Sequence, residues 1–111
     1  MDKDEYLEQL IFKGLTNLNN GFDAEGIKYF SADDFRIILR RVEELGVGVL
    51  GIEPWKNGDF YDVRGCKDYE SAPSDSHWYW TAFEAFNKED EALVYSATFD
   101  VPTRMLFNVN L

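Results

Sequence analysis

Across Gly46 the spacing of apolar residues changes from three-and-four to two, and this switch constrains the fold more than any other feature of the chain. Before it, Phe35, Ile38, Leu39, Val42 and Leu45 fall on one face of a helix. Ser31 is placed to accept a hydrogen bond from a free amide of the first turn, Asp33 and Asp34 favour the positive end of the helix dipole, and Gly46 supplies the terminator. Arg36, Arg40, Arg41, Glu43 and Glu44 make up the opposite, solvated side. After it, Val47-Gly48-Val49-Leu50-Gly51-Ile52 and Phe60-Tyr61-Asp62-Val63 read as two antiparallel strands meeting near Asn57-Gly58, because both turn residues accept positive φ. Pro54 has no N–H to give to a ladder, so the expected loop is longer than two residues.

The same patterning extends to both ends. Leu7, Leu10, Ile11, Gly14, Leu15 and Leu18 predict a helix from about Asp4 to Leu18, stopped by Asn19-Asn20-Gly21. Phe22 to Phe30 is a connector without a period. A Ser- and Pro-containing loop over 71–76 leads into a third helix from His77 to Lys88, with Tyr79, Ala82, Phe83 and Phe86 on its core face. Leu93 to Val101 alternates as a strand, Val101-Pro102-Thr103 turns the chain, and Met105 to Val109 is expected to form a last short strand. The order predicts a single α+β domain spanning residues 1–111, with about three helices on a mostly antiparallel sheet of about four strands.

Composition narrows the functional classes. The chain of 111 residues has 21 acidic against 11 basic side chains, a net charge of −10, while 45% apolar content argues for a folded core. The acids concentrate at the two ends, which would make one negative field if folding joins them. Nucleic-acid binders neutralise phosphates with clustered Lys and Arg, and Arg40-Arg41 is the one adjacent basic pair, so direct nucleic-acid binding is not expected. No apolar run approaches the ~20 residues of a membrane helix. The first residues lack the basic start and apolar run of an export signal, so the expected location is the cytoplasm.

Chemistry has little to work with. Cys66 and His77 are single copies, expected as a small partly buried residue at a strand end and as a helix-start residue facing solvent. Glu53, Asp59 and Asp62 lie around one hairpin, but no fixed spacing defines an acid–base pair or a cation loop. Neither a catalytic residue, a metal ligand nor a cofactor is expected.

Aromatic side chains among carboxylates suit a partner-binding surface instead. Trp78 lies about 80° to one side of the third helix's core direction and Trp80 about 120° to the other, nearest the polar face of Thr81 and Glu84. Trp55 sits in the hairpin beside Pro54. The expected partner-binding set is Trp55, Asp59, Asp62, Trp78, Trp80 and Glu84, with Trp80 as the foremost contact.

The run Phe30-Ser31-Ala32-Asp33-Asp34-Phe35 through Gly46 to Gly51-Ile52-Glu53-Pro54-Trp55, followed by Phe60-Tyr61-Asp62 and Trp78, resembles in layout the small immunity proteins of bacterial polymorphic toxin systems. The resemblance covers roughly residues 30 to 100 and rests on no diagnostic motif. It implies a non-enzymatic cytoplasmic protein that binds and neutralises a cognate toxin domain, and the net charge of −10 leads us to expect that domain to be basic. The competing expectations are a small hydrolase or metal-dependent enzyme using the hairpin carboxylates, and a regulatory domain with Trp55 and Trp78 lining a small-molecule pocket.

Overall fold

A computed structural model describes residues 1–108. Helix α1 (Lys3–Tyr6) runs directly into a π-helical turn, Leu7–Ile11; helix α2 is Ala32–Leu45, strand β1 Gly48–Lys56, β2 Asp59–Phe60 and β3 Arg64–Gly65. A 3-10 turn, Cys66–Tyr69, precedes helix α3 (Ser76–Glu89), strand β4 (Val94–Asp100) and helix α4 (Thr103–Asn108). The sheet is antiparallel throughout. β1 is its centre, pairing with β4 along one side and with β2 and β3, end to end, along the other. The expected α+β architecture is the one observed.

Helix α2 follows its sequence signals closely. The Ser31 hydroxyl accepts from the Asp34 N–H, Gly46 takes the left-handed conformation at φ 75°, and Phe35, Ile38, Leu39 and Val42 are buried, while Leu45, expected on the same face, is exposed in the last turn. Together α2 and α3 cover one face of the sheet, where Tyr95 stacks on Phe35 at 5.1 Å and meets Phe83 edge-on at the same centroid distance. Ile52 and Phe99 complete this inner face. The opposite, outer face carries Gly51, Glu53 and Trp55 of β1 beside Thr98, Ser96 and Val94 of β4, as the register and the strand alternation require.

Five local expectations are corrected. The first helix ends near Ile11 instead of Leu18: its π turn shifts the phase of the apolar stripe, Gly14 turns at φ 80°, and Leu10 and Leu18 are left exposed. Arg41, read as a solvated residue, donates from Nη1 to the carbonyls of Ile11 and Lys13 at 2.8 Å each, holding the carbonyls that this helix end leaves free. The hairpin loop has only two residues, Asn57 (φ 53°) and Gly58 (φ 81°), with Lys56 paired to Asp59. Pro54 stays within β1 because Tyr95, its partner in the ladder, directs its own main-chain bonds outward to Phe30, so no ladder bond to β4 is lost. On the other side the Pro54 carbonyl accepts from Tyr61 and Asp62, and this splits the expected 60–63 strand into β2 and β3.

Finally, the strand expected over Met105–Val109 is helix α4 up to Asn108; Val109 lies outside the described residues. Pro102 starts its first turn by accepting from the Met105 N–H, and Met105 packs against Tyr6 and Gly46. The N-terminal ammonium donates to the Leu106 carbonyl at 3.0 Å, so the start of the chain is tied to α4. Among the described residues, no helix is long and apolar enough to cross a membrane.

Candidate functional site

A cavity of about 450 Å³ wraps the edge of β4, lined by Gly51, Glu53, Ser96 and Thr98 of the outer face and by Phe35 and Ile38 of α2 on the inner side. The connector between α1 and α2 forms one of its walls. Asn19 knots this connector: its Nδ2 donates to the carbonyls of Ala24 and Ile27 at 3.1 and 2.7 Å, and its Oδ1 accepts from the Gly21 N–H at 3.1 Å. Asn17 Oδ1 accepts from the Tyr29 N–H, and the Leu18 N–H reaches the Tyr29 carbonyl. Asn19 therefore organises a loop, where the sequence had suggested a helix stop.

The knot lays Phe22 and Tyr29 onto Trp55, with ring centroids 5.6 and 5.3 Å away, and Phe60 approaches Trp55 from β2. Under these rings is a small polar network. The Tyr29 hydroxyl donates to Asp23 Oδ2 at 2.6 Å; Glu53 Oε2 lies 3.2 Å from the same oxygen and accepts the Trp55 indole N–H at 2.8 Å. A phenol has one proton, and the short contact to Asp23 claims it. Burial, then the bond to Asp23 and the two carboxylate charges, push the Tyr29 hydroxyl far above its ordinary pKa.

Beyond this aromatic cluster the face is open. Ile27, Phe60 and Val63 are exposed apolar side chains, 39, 55 and 51% accessible; Ile27 and Val63 line the cavity with Gly51, Ser96 and Thr98, and Phe60 stands beside Trp55 on the same face. Glu53 and Asp4 contribute carboxylates to the cavity lining, while Lys28 is paired with Glu8 and lies over the Phe12 ring at 5.6 Å. An apolar strip with acidic margins is suited to contact with another chain, whose basic groups the margins would meet.

The structure disperses the six residues expected to bind a partner. Trp55 belongs to the outer face. Asp59 is exposed at the hairpin, on the opposite side of the strand from Phe60, and Asp62 accepts its neighbour's N–H from Val63 at 2.8 Å. Trp78 is fully buried, a correction to its surface assignment. Helix α3 is enclosed on two sides, by α2 and by the 3-10 turn whose Tyr69 ring lies 5.7 Å from Trp78, so its buried arc is wider than a single stripe. Trp80 is half-buried against the Phe83 edge and donates its indole N–H to Glu43 at 2.8 Å; Glu84 is exposed, 3.7 Å from Arg36. Trp80 and Glu84 thus lie on the helical layer, across the sheet from Trp55.

The competing sites are also dispersed. Trp55 and Trp78 are on opposite sides of the sheet and share no pocket. Glu53, Asp59 and Asp62 are each engaged or directed separately, and among the described residues no group of three or more His, Cys, Asp or Glu is placed to hold a metal ion. Cys66 is free and buried at the start of the 3-10 turn, where a partly buried strand end was expected, and His77 is exposed at the start of α3. Sequence reasoning missed Phe22, Ile27, Tyr29, Phe60 and Val63. The available signal was the alternation on β1, which puts Glu53 and Trp55 on one face.

No protein-family model matches the chain, nor does any curated protein or solved structure.

Proposed function

We propose that this chain is a cytoplasmic immunity protein of a bacterial toxin system, which binds a basic toxin domain directly and neutralises it without chemistry of its own. The observation that carries the reading is the open outer face, an exposed apolar strip of Ile27, Phe60 and Val63 with Glu53 and Asp4 at its margins. The net charge of −10 supports it, since a surplus of carboxylates steers a cationic partner into contact and excludes nucleic acid as a direct ligand. Binding is the whole function under this reading, with no cofactor, metal or membrane involved.

Co-expression tests it. The toxin domain encoded beside this chain's own gene should arrest growth when expressed alone and not when this chain is present, and a catalytically inactive form of that domain should co-purify with it. A neighbouring gene without such a domain, or toxicity unrelieved by this chain, would overturn the reading.

A further inference from the structure

We propose that the toxin domain docks by adding an extended, basic segment to the open edge of β4, an inference that rests on the binding reading above. Tyr95 and Phe30 exchange both main-chain bonds, at 2.8 and 2.9 Å, across the edge of β4 that faces away from β1. Because main-chain direction alternates along a strand, the N–H and C=O groups of Ala97 and Phe99 point out of the same edge. Among the described residues neither is taken up by a main-chain group outside the sheet. The cavity lies against this stretch: Ser96, Ala97, Thr98 and Phe99 line it together with Lys28 and with Phe12, which meets the Phe99 ring edge-on at 5.8 Å. Phe30 thus begins a further strand that the rest of the connector does not continue.

Exposed edges invite pairing, and proteins that must avoid it place a bulge, a proline or a lysine on the edge itself. Here the bulge, at Leu50, is on the central strand, Pro102 falls beyond the end of β4, and residues 96–100 include no lysine. The edge therefore remains competent to take a strand, with main-chain bonds supplying affinity and alternate side chains entering the groove. Charge selects the occupant. Asp4 and Glu53 line the cavity, Asp100 ends the strand exposed, and Glu8 offsets Lys28, so a basic segment is attracted. A second copy of this chain, carrying −10 of its own, is repelled.

The experiment is amide hydrogen exchange on the free chain and on its complex with the inactive toxin domain, together with the Ala97→Pro variant. Ala97 donates outward, so proline removes the docking donor without removing a β1 ladder bond. In the free chain the Ala97 and Phe99 amides should exchange at least about tenfold faster than those of Ser96 and Thr98, and in the complex they should slow by at least about tenfold. Ala97→Pro should weaken binding at least about tenfold. Equal protection of all four amides in the free chain would overturn the inference, as would a complex that leaves Ala97 and Phe99 unchanged; in the latter case the binding reading stands. A dimer of this chain that protects the same amides would overturn it in favour of self-association. Failure of the toxin domain to bind at all removes the broader reading and this one together. If Ala97→Pro does not fold, the exchange measurements decide alone.

Discussion

The indole N–H of Trp55 donates to Glu53 Oε2 at 2.8 Å, joining two residues that share the outer face of β1 because they are two apart. The same oxygen lies 3.2 Å from the Tyr29 hydroxyl, so one carboxylate links strand and connector. Glu53→Ala should leave the indole N–H without its acceptor, cost about 1 to 3 kcal/mol in chemical denaturation, and shift Trp55 fluorescence. Glu53→Gln, which keeps an acceptor oxygen, should cost less. Equal costs for the two variants would show that this bond does not organise the face.

The tryptophans of α3 should separate sharply. Trp78→Ala empties a fully buried site and is expected to destabilise by about 3 to 5 kcal/mol. Trp80→Ala removes an edge contact with Phe83 and the bond to Glu43 from a half-buried position, for a cost of about 1 to 2 kcal/mol. Denaturant titration of both variants checks the order, and under the proposed docking mode neither lies on the binding face.

These two residues also show what was legible in the sequence. The periodicity that defines α2 and the core residues of α3 is a property of one element against one neighbour, and it is legible in the sequence for all of them but Leu45, which the end of α2 leaves exposed. Trp78 was misread because its burial comes from a second neighbour, the turn at Cys66–Tyr69, whose position depends on the whole fold. The connector failed for a related reason. Asn19 closes its loop through bonds to residues 24 and 27, and hydrogen bonding of that kind leaves no hydrophobic period to detect. Pro54 misled in the opposite direction, since a proline is excluded from a ladder only where its missing donor was needed.

Gly58 should tolerate no side chain. Its φ of 81° is unfavourable for other residues, and an added Cβ would lie 3.3 Å from Phe22 Cβ, pressing on a ring that covers Trp55. Gly58→Ala is expected to destabilise by about 1 kcal/mol or more and to change Trp55 fluorescence. A variant as stable as the parent would mean that the turn can relax without disturbing the connector.

Electrostatic steering predicts that association with the toxin domain slows as salt is added. The field that draws a basic partner toward a chain of net charge −10 is screened to ~8 Å near physiological ionic strength. Stopped-flow association rates should fall steadily with salt while dissociation rates change little. A salt-independent association rate would remove the electrostatic part of the binding argument.

Alkaline pH should destabilise the fold through its buried tyrosines. Burial raises the hydroxyl pKa of Tyr29 and Tyr95 well above the ordinary value of about 10, and that of Tyr79 to about 12. Each folded-state value is raised, so the stability these groups contribute is fully present below about pH 10. It is lost as pH climbs from there through the folded-state values, because the unfolded chain releases protons that the folded chain retains. Tyr95 isolates the effect: its hydroxyl is buried and finds no hydrogen-bond partner among the described residues. Tyr95→Phe should therefore be at least as stable as the parent at neutral pH, by up to about 1 kcal/mol, and should lose stability less steeply above pH 10. Denaturation midpoints from neutral to strongly alkaline pH, followed with phenolate absorbance, test both claims. An alkaline slope unchanged by Tyr95→Phe would show that this hydroxyl ionises as readily in the folded chain as in the unfolded one.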